Sequence, residues 1–158
     1  MMPTIEVADR VVVLKDDFID INYKVGDIVV FYHPSNFSNT TLTDKFYNSI
    51  QVWNYLFELE YELIYIKRVI GLPGDVIQVD TAGNVYRNNE LITIDGIDNE
   101  TYSSNSTYNV PEDSYFLLGD NRSNSQDSRI FGFVPSVNIL GKAQYIVYPF
   151  DNFLKIND

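Results

Sequence analysis

Ile64-Tyr65-Ile66-Lys67-Arg68-Val69-Ile70 runs straight into Gly71-Leu72-Pro73-Gly74-Asp75, and this stretch decides the fold. The first seven residues read as a strand and the next five as the turn that ends it. Immediately downstream, Val76-Ile77-Gln78-Val79 and Val85-Tyr86-Arg87 flank Thr81-Ala82-Gly83-Asn84, the pattern of a hairpin, and Asn88-Asn89 supplies a further tight turn. Upstream, Gly26-Asp27 is a turn signal that opens a strand through Tyr32, which His33-Pro34-Ser35-Asn36 closes. Arg10-Val11-Val12-Val13-Leu14 is a short apolar run without helical period and reads as a buried strand. Phe116-Leu117-Leu118 and Tyr145-Ile146-Val147-Tyr148 read as two more buried strands, whereas residues 95–109, mostly Asp, Asn, Ser and Thr, read as an exposed loop. The expectation is a mostly β protein.

One segment departs from this pattern. Phe46, Ile50, Trp53 and Phe57 recur at helical spacing, Val52, Leu56 and Leu59 widen the apolar face, and Thr41 or Thr43 can cap the start. The spacing predicts an inserted helix over 43–60, within an inserted segment of about 34–62. Packing against the sheet is the plain reading. Contact with a bilayer interface is the alternative, and Glu58, Glu60 and Glu62 oppose it.

The chain has 158 residues, enough for one domain with its own core. Hydrophobic residues make up 45% and charged residues 21%, an ordinary globular balance. With no cysteine there is no disulfide, no thiolate metal site and no Cys nucleophile. The single histidine, His33, cannot build a multi-histidine metal site, and its place beside Pro34 at a strand end reads as a surface loop rather than part of a Ser–His–Asp triad. The net charge of -11 argues against nucleic acid as a partner and against an anionic membrane surface. Residues 76–118 hold seven acids and one base, which marks a solvated lobe over about 76–113. No apolar run approaches the roughly 20 residues of a membrane span. The opening Met1-Met2-Pro3-Thr4 has no secretory character, so the chain as written is expected to be soluble.

Two places hold polar residues that folding alone does not demand. On spacing alone Lys67 is a solvent-facing member of an alternating strand. Held instead among Tyr65, Ile66, Val69 and Ile70, its ammonium would be desolvated, its pKa would fall, and the neutral amine would be a competent general base. The second place is Gly119-Asp120-Asn121-Arg122-Ser123-Asn124-Ser125-Gln126-Asp127-Ser128-Arg129, followed by Phe131-Gly132-Phe133. Its plain reading is a loop of Asx turns closed by Asp–Arg pairs. A calcium loop fits poorly, because Arg122 takes a ligand position and the turn glycine is missing. The functional reading is a side-chain network that orients a catalytic group.

These residues resemble a known family. Tyr65 through Asp75 is similar to the lysine box of bacterial type I signal peptidases. Gly119-Asp120-Asn121-Arg122, Asn124-Ser125, Asp127-Ser128-Arg129 and Gly132-Phe133-Val134-Pro135 resemble its C-terminal box, and Asp9 through Val13 with Gly26 through Phe31 resemble its strand motif. The resemblance implies a coiled, mostly antiparallel β fold; its coverage excludes the inserted helix at 43–60, a longer insertion than the family leads one to expect, and much of the 95–110 loop. It also implies a Ser–Lys dyad peptidase that removes signal peptides from exported preproteins outside the cytoplasmic membrane, tethered by N-terminal transmembrane sequence. It implies Lys67 as general base and Ser125 as the hydroxyl that hydrogen-bonds and positions it. Asp127 and Arg129 would form a supporting ion pair, and Asp120 would pair Arg68. Tyr65 and Ile66 would offer a strand edge to the substrate, and Met1, Ile5, Tyr65 and Ile66 would wall small pockets that select an Ala-x-Ala site. No metal or organic cofactor is implied.

One departure stands out. The family's nucleophile box reads Ser-Met-x-Pro-Thr, and Met1-Met2-Pro3-Thr4 matches all of it after the serine. The nucleophile, the upstream hydroxyl and the serine amide of the oxyanion hole, and the anchor all precede Met1, so this chain alone is expected to be inactive. A fragment or mis-assigned start, a deliberately shortened soluble form, or a natural pseudoenzyme would each account for it. The retained Lys67 and Ser125 favour the first two. Two rivals differ in kind: a non-catalytic relative acting in pilus or surface-protein assembly, and a self-cleaving repressor-type Ser–Lys peptidase. The second would need a cleavable segment and a DNA-binding domain, and the chain shows neither.

Overall fold

The structure, a computed structural model, describes residues 1–15, 21–34, 64–95, 97 and 105–156. The helix read over 43–60, and the inserted segment past Pro34, lie outside the described residues. Eleven strands are seen among them: β1 Arg10–Lys15, β2 Ile28–Tyr32, β3 Ile64–Gly71, β4 Val76–Val79, β5 Val85–Arg87, β6 Glu90–Leu91, β7 Ser106–Asn109, β8 Ser114–Leu118, β9 Val134–Pro135, β10 Ile139–Tyr148 and β11 Leu154–Lys155. One short helix, α1, spans Ser128–Phe131. The fold is mostly β, as the sequence predicts.

The strands form two sheets. The larger has seven strands in the order β1-β10-β2-β3-β8-β9, with β11 added to β10; the smaller has four in the order β6-β5-β4-β7. Every pairing is antiparallel. Alternation along β3 divides its residues between the faces of the larger sheet. Tyr65 and Val69 join Val29, Phe31, Leu117 and Val134 on one face. On the other, Ile66 packs with Ile5, Ile28, Ala143 and Ile146, while Ile70 joins Phe116 and Leu118 against Ile77, Val79 and Val85 of the smaller sheet. Phe31 and Phe116 are fully buried, each a gain of about 1.5–3 kcal/mol.

The turn after β3 is built around one carboxylate. Asp75 accepts the Leu72 N–H at 2.7 Å, Arg87 Nε at 2.5 Å and Asn88 Nδ2 at 2.7 Å, which ties the end of β3 to the far end of the β4–β5 hairpin. Asn88 and Asn89 take positive φ of 51° and 70° between β5 and β6, a conformation asparagine tolerates better than most residues.

Four expectations need correction. Residues 106–109, read as part of an exposed loop, form β7: Tyr108 alternates inward and sets its ring, tilted by 41°, 4.7 Å from that of Phe116, an apolar contact the polar neighbours disguised. The strand β1 is not buried: among the described residues it is an edge strand paired with β10 alone, and Val12 is 45% exposed. The strand read at 145–148 begins at Ile139, because buried Lys142 is neutralised by Asp27 at 2.8 Å and so does not break the apolar run. His33 is not a surface histidine; it is half-buried, 5.3 Å from the Tyr65 ring and 5.0 Å from the Phe131 ring.

Candidate active site

The site lies where β3 and β8 part. β2 flanks Ile64 through Arg68 along their whole length, but on the other side β8 stops with Leu118 opposite Arg68. Among the described residues no strand pairs with the second edge of Ile64–Lys67. The chain leaves β8 through Gly119 and Asp120, makes a 3-10 turn over Arg122–Asn124, and enters α1.

Neighbouring residues of β3 serve opposite faces. Lys67 shares the face of Tyr65 and Val69, with Nζ 5.8 Å from the centre of the Tyr65 ring. Burial drives the pKa of its ammonium below the ordinary 10.5; Asp127 and Asp120 oppose that shift and Arg129 adds to it. The amino group of Met1 is close enough for the two cations to repel. Its own pKa is lowered by burial first and by Lys67 second, against Asp120.

Ser125 and Lys67 meet over Gly119. A Cβ at residue 119 would overlap Ser125 Oγ, sit 2.8 Å from Ser125 Cβ and lie 3.5 Å from Lys67 Cδ, so only glycine leaves both side chains in place. Ser125 Oγ is buried and has no hydrogen-bond partner among the described residues. The hydrogen bond to Lys67 expected of it is therefore not made. The lysine head is turned over the Tyr65 ring, and that orientation leaves the hydroxyl beside the aliphatic stem.

Two buried ion pairs frame the lysine. Asp127, fully buried, accepts Arg129 Nε at 2.8 Å and Nη2 at 2.7 Å, the backbone N–H of Arg129 at 3.3 Å, and the N–H of Gly119 at 3.1 Å. The same arginine donates to the Arg122 carbonyl at 2.8 Å. On the other face, Arg68 holds Asp120 through Nε at 2.8 Å and Nη2 at 2.7 Å, and donates Nη1 to the Gly26 carbonyl at 2.7 Å. Such planar two-point pairs are the strong, directional form of a charge-assisted hydrogen bond. Burial pushes the Arg122 guanidinium down from its ordinary value, with Arg129 adding to the effect, so the loop carries more than one buried arginine near two carboxylates.

The sequence-predicted site residues thus fall into two groups. Lys67, Ser125, Asp127 and Arg129 gather on one side, and Arg68, Asp120, Met1, Ile5 and Ile66 on the other. The expected wall of Met1, Ile5, Tyr65 and Ile66 is not a single wall. Met1, Ile5 and Ile66 pack together, while Tyr65, one residue away on a strand, faces Phe31, His33 and Phe131. Thr4 and Gly26 were named in the sequence only as parts of motifs, and their bonds to the Arg68–Asp120 pair, like the steric role of Gly119, were not foreseen. Thr4 donates its hydroxyl to Asp120 Oδ2 at 2.5 Å, a contact across 116 positions that no local pattern announces.

Comparison with known proteins agrees with this geometry. Residues 1–148 match the family model described as signal peptidase, peptidase S26. The chain is 35% identical over 149 residues to a probable signal peptidase I-1 of Synechocystis sp., covering 94% of this chain and 67% of that protein. It is 37% identical over 152 residues to a signal peptidase I of Leptolyngbya laminosa, covering 94% and 64%. A crystal structure of a signal peptidase I from Enterococcus faecalis V583 superposes with a TM-score of 0.53 at 27% identity, over 77% of this chain and 97% of that one. This chain belongs to the signal peptidase S26 family.

Proposed function

We propose that this chain is a single catalytic domain of a serine endopeptidase that removes signal peptides from exported preproteins through a Ser–Lys dyad. The observation that carries the reading is the desolvation of Lys67, whose amine lies near the Met1 amino group and whose aliphatic stem lies beside Ser125 over Gly119. In the longer enzyme the residue joined to the Met1 amine is the serine. Neutral Lys67 takes the serine proton as the hydroxyl attacks the scissile carbonyl, then returns it to the leaving amine, and water hydrolyses the acyl-enzyme. The serine N–H and an upstream hydroxyl receive the developing oxyanion.

The open edge of Ile64–Lys67 supports binding of the substrate as an added strand, with Met1, Ile5 and Ile66 shaping a shallow apolar pocket for a small side chain. Among the described residues no helix is long and apolar enough to cross a membrane. In this reading the tether lies upstream of Met1 and holds the domain at the extracytoplasmic face.

The test joins Ser, with its upstream residues, to Met1 and presents a preprotein peptide with an Ala-x-Ala site. Cleavage after the second alanine that disappears in Lys67→Ala is the expected result. Equal cleavage by the Lys67→Ala form, or none by the parent, overturns the reading.

A further inference from the structure

The segment that leads into Met1 must be held at a fixed angle to Lys67, and the structure shows two anchors for it. One is apolar: Ile5, only 8% exposed, packs against Ile28, Ala143 and Ile146. Its N–H donates to the Met1 carbonyl at 3.1 Å and closes a turn over residues 1–5. An apolar contact holds a segment down but is non-directional and leaves its rotation free. The other anchor is directional. Thr4 Oγ1 donates to Asp120 Oδ2 at 2.5 Å and accepts from Arg68 Nη2 at 3.3 Å, so one hydroxyl uses both its donor and its acceptor capacity. Both partners are themselves immobile. Asp120 is 3% exposed and bound twice by Arg68, and Arg68 is further held by the Gly26 carbonyl. Asp120 also opens the loop that carries Ser125 and Asp127, so a single carboxylate fixes the turn and the loop to one another.

We infer that Thr4 is a positioning residue: clamped between Asp120 and Arg68, its hydroxyl sets the register of the segment entering Met1 and with it the approach of the attacking hydroxyl to Lys67. This rests on the peptidase reading above. A displacement of about 1 Å at the reacting atoms can cost on the order of 100-fold in rate, so one lost directional contact is enough to matter. Valine matches threonine in shape but offers no hydroxyl; serine keeps the hydroxyl and lacks the methyl.

The experiment has two arms. In the chain as given, amide hydrogen exchange is followed at Ile5, whose N–H closes the turn, and at Val69, whose N–H is bonded to the Asp27 carbonyl at 2.8 Å and reports the sheet. Thr4→Val is expected to speed exchange at Ile5 by about ten-fold or more while Val69 stays protected, and Thr4→Ser to restore Ile5. Unchanged protection of Ile5 in Thr4→Val overturns the inference. Should Val69 lose protection too, Thr4→Ala replaces the valine variant under the same criteria. In the second arm, with serine joined ahead of Met1, Thr4→Val is expected to lower kcat about 10- to 100-fold with KM within about two-fold, and Thr4→Ser to recover most of it. A loss confined to KM, or no rescue by serine, overturns it. If the serine-bearing parent cuts nothing, the peptidase reading fails, while the exchange arm still decides whether Thr4 sets the turn.

Discussion

The Asp127 carboxylate accepts the backbone N–H of Gly119 at 3.1 Å, and this bond places the far end of the 119–129 loop against the point where β8 ends. Because Asp127 is fully buried and bound by Arg129, Gly119 has little freedom to move away from it. Ser125 and Lys67 are packed onto that fixed glycine, so the loop acts as a rigid back wall for the lysine.

A methyl group on that wall has nowhere to go. Gly119→Ala is expected to push Ser125 or the Lys67 stem aside, at about 1–3 kcal/mol of stability from overpacking. The loss of activity should be larger in proportion, on the order of 100-fold in kcat for the serine-bearing enzyme. Urea unfolding together with steady-state kinetics separates the two effects. Retained kcat would show that the lysine does not need this seat.

The Arg68–Asp120 pair is buried on both sides, with side-chain exposures of 10% and 0%. Arg68→Met alone leaves an unpaired carboxylate in the interior and is expected to cost about 3–5 kcal/mol. Arg68→Met combined with Asp120→Leu should recover a large part of that cost, because the buried carboxylate is removed together with its arginine. Denaturant melts of the two singles and the double give the coupling energy. Additive losses would mean that the pair does not act as a unit.

Lys67 makes stability depend on pH in a definite direction. Its folded-state pKa is lowered by burial, so the unfolded chain binds more protons between that lowered value and 10.5. Stability therefore rises with pH across this window, and at lower pH the lysine is a net cost. Lys67→Met is expected to stabilise the chain at and below neutral pH, with the gain shrinking toward pH 10.5. Melting temperatures of both forms measured across the alkaline range check it. In the serine-bearing enzyme, kcat should rise with pH along a limb whose midpoint lies below the ordinary lysine value.

At Asp75 the sign is reversed. Burial alone would raise its pKa, but hydrogen bonds from Arg87, the Leu72 N–H and Asn88 outweigh burial and bring it below the ordinary 3.8. The stabilisation is present above pH 3.8 and is lost as the pH falls through the folded value. Asp75→Asn is expected to destabilise the chain at neutral pH, and the difference from the parent should close in strong acid. Urea melts at both ends of that range test this, and a gap independent of pH would rule it out.

What the sequence determined by itself is local. Alternating β-branched runs marked β2, β3, β4 and β5, and Gly, Asn and Pro punctuated the turns between them, because backbone preference and one-sided burial act over a few residues. The polar density of residues 119–129 and the odd lysine at 67 were visible for the same reason: neither is needed to fold a strand or a turn. The tertiary structure decided the rest. Tyr108 had to meet Phe116 before residues 106–109 became a strand, and Lys142 had to meet Asp27 before β10 could run through a cation. Whether Lys67 is dry, whether Ser125 reaches it, and that Thr4 closes on Asp120 all depend on groups tens of residues apart arriving at one place. Desolvation and hydrogen-bond geometry are properties of that meeting, and no spacing along the chain encodes them.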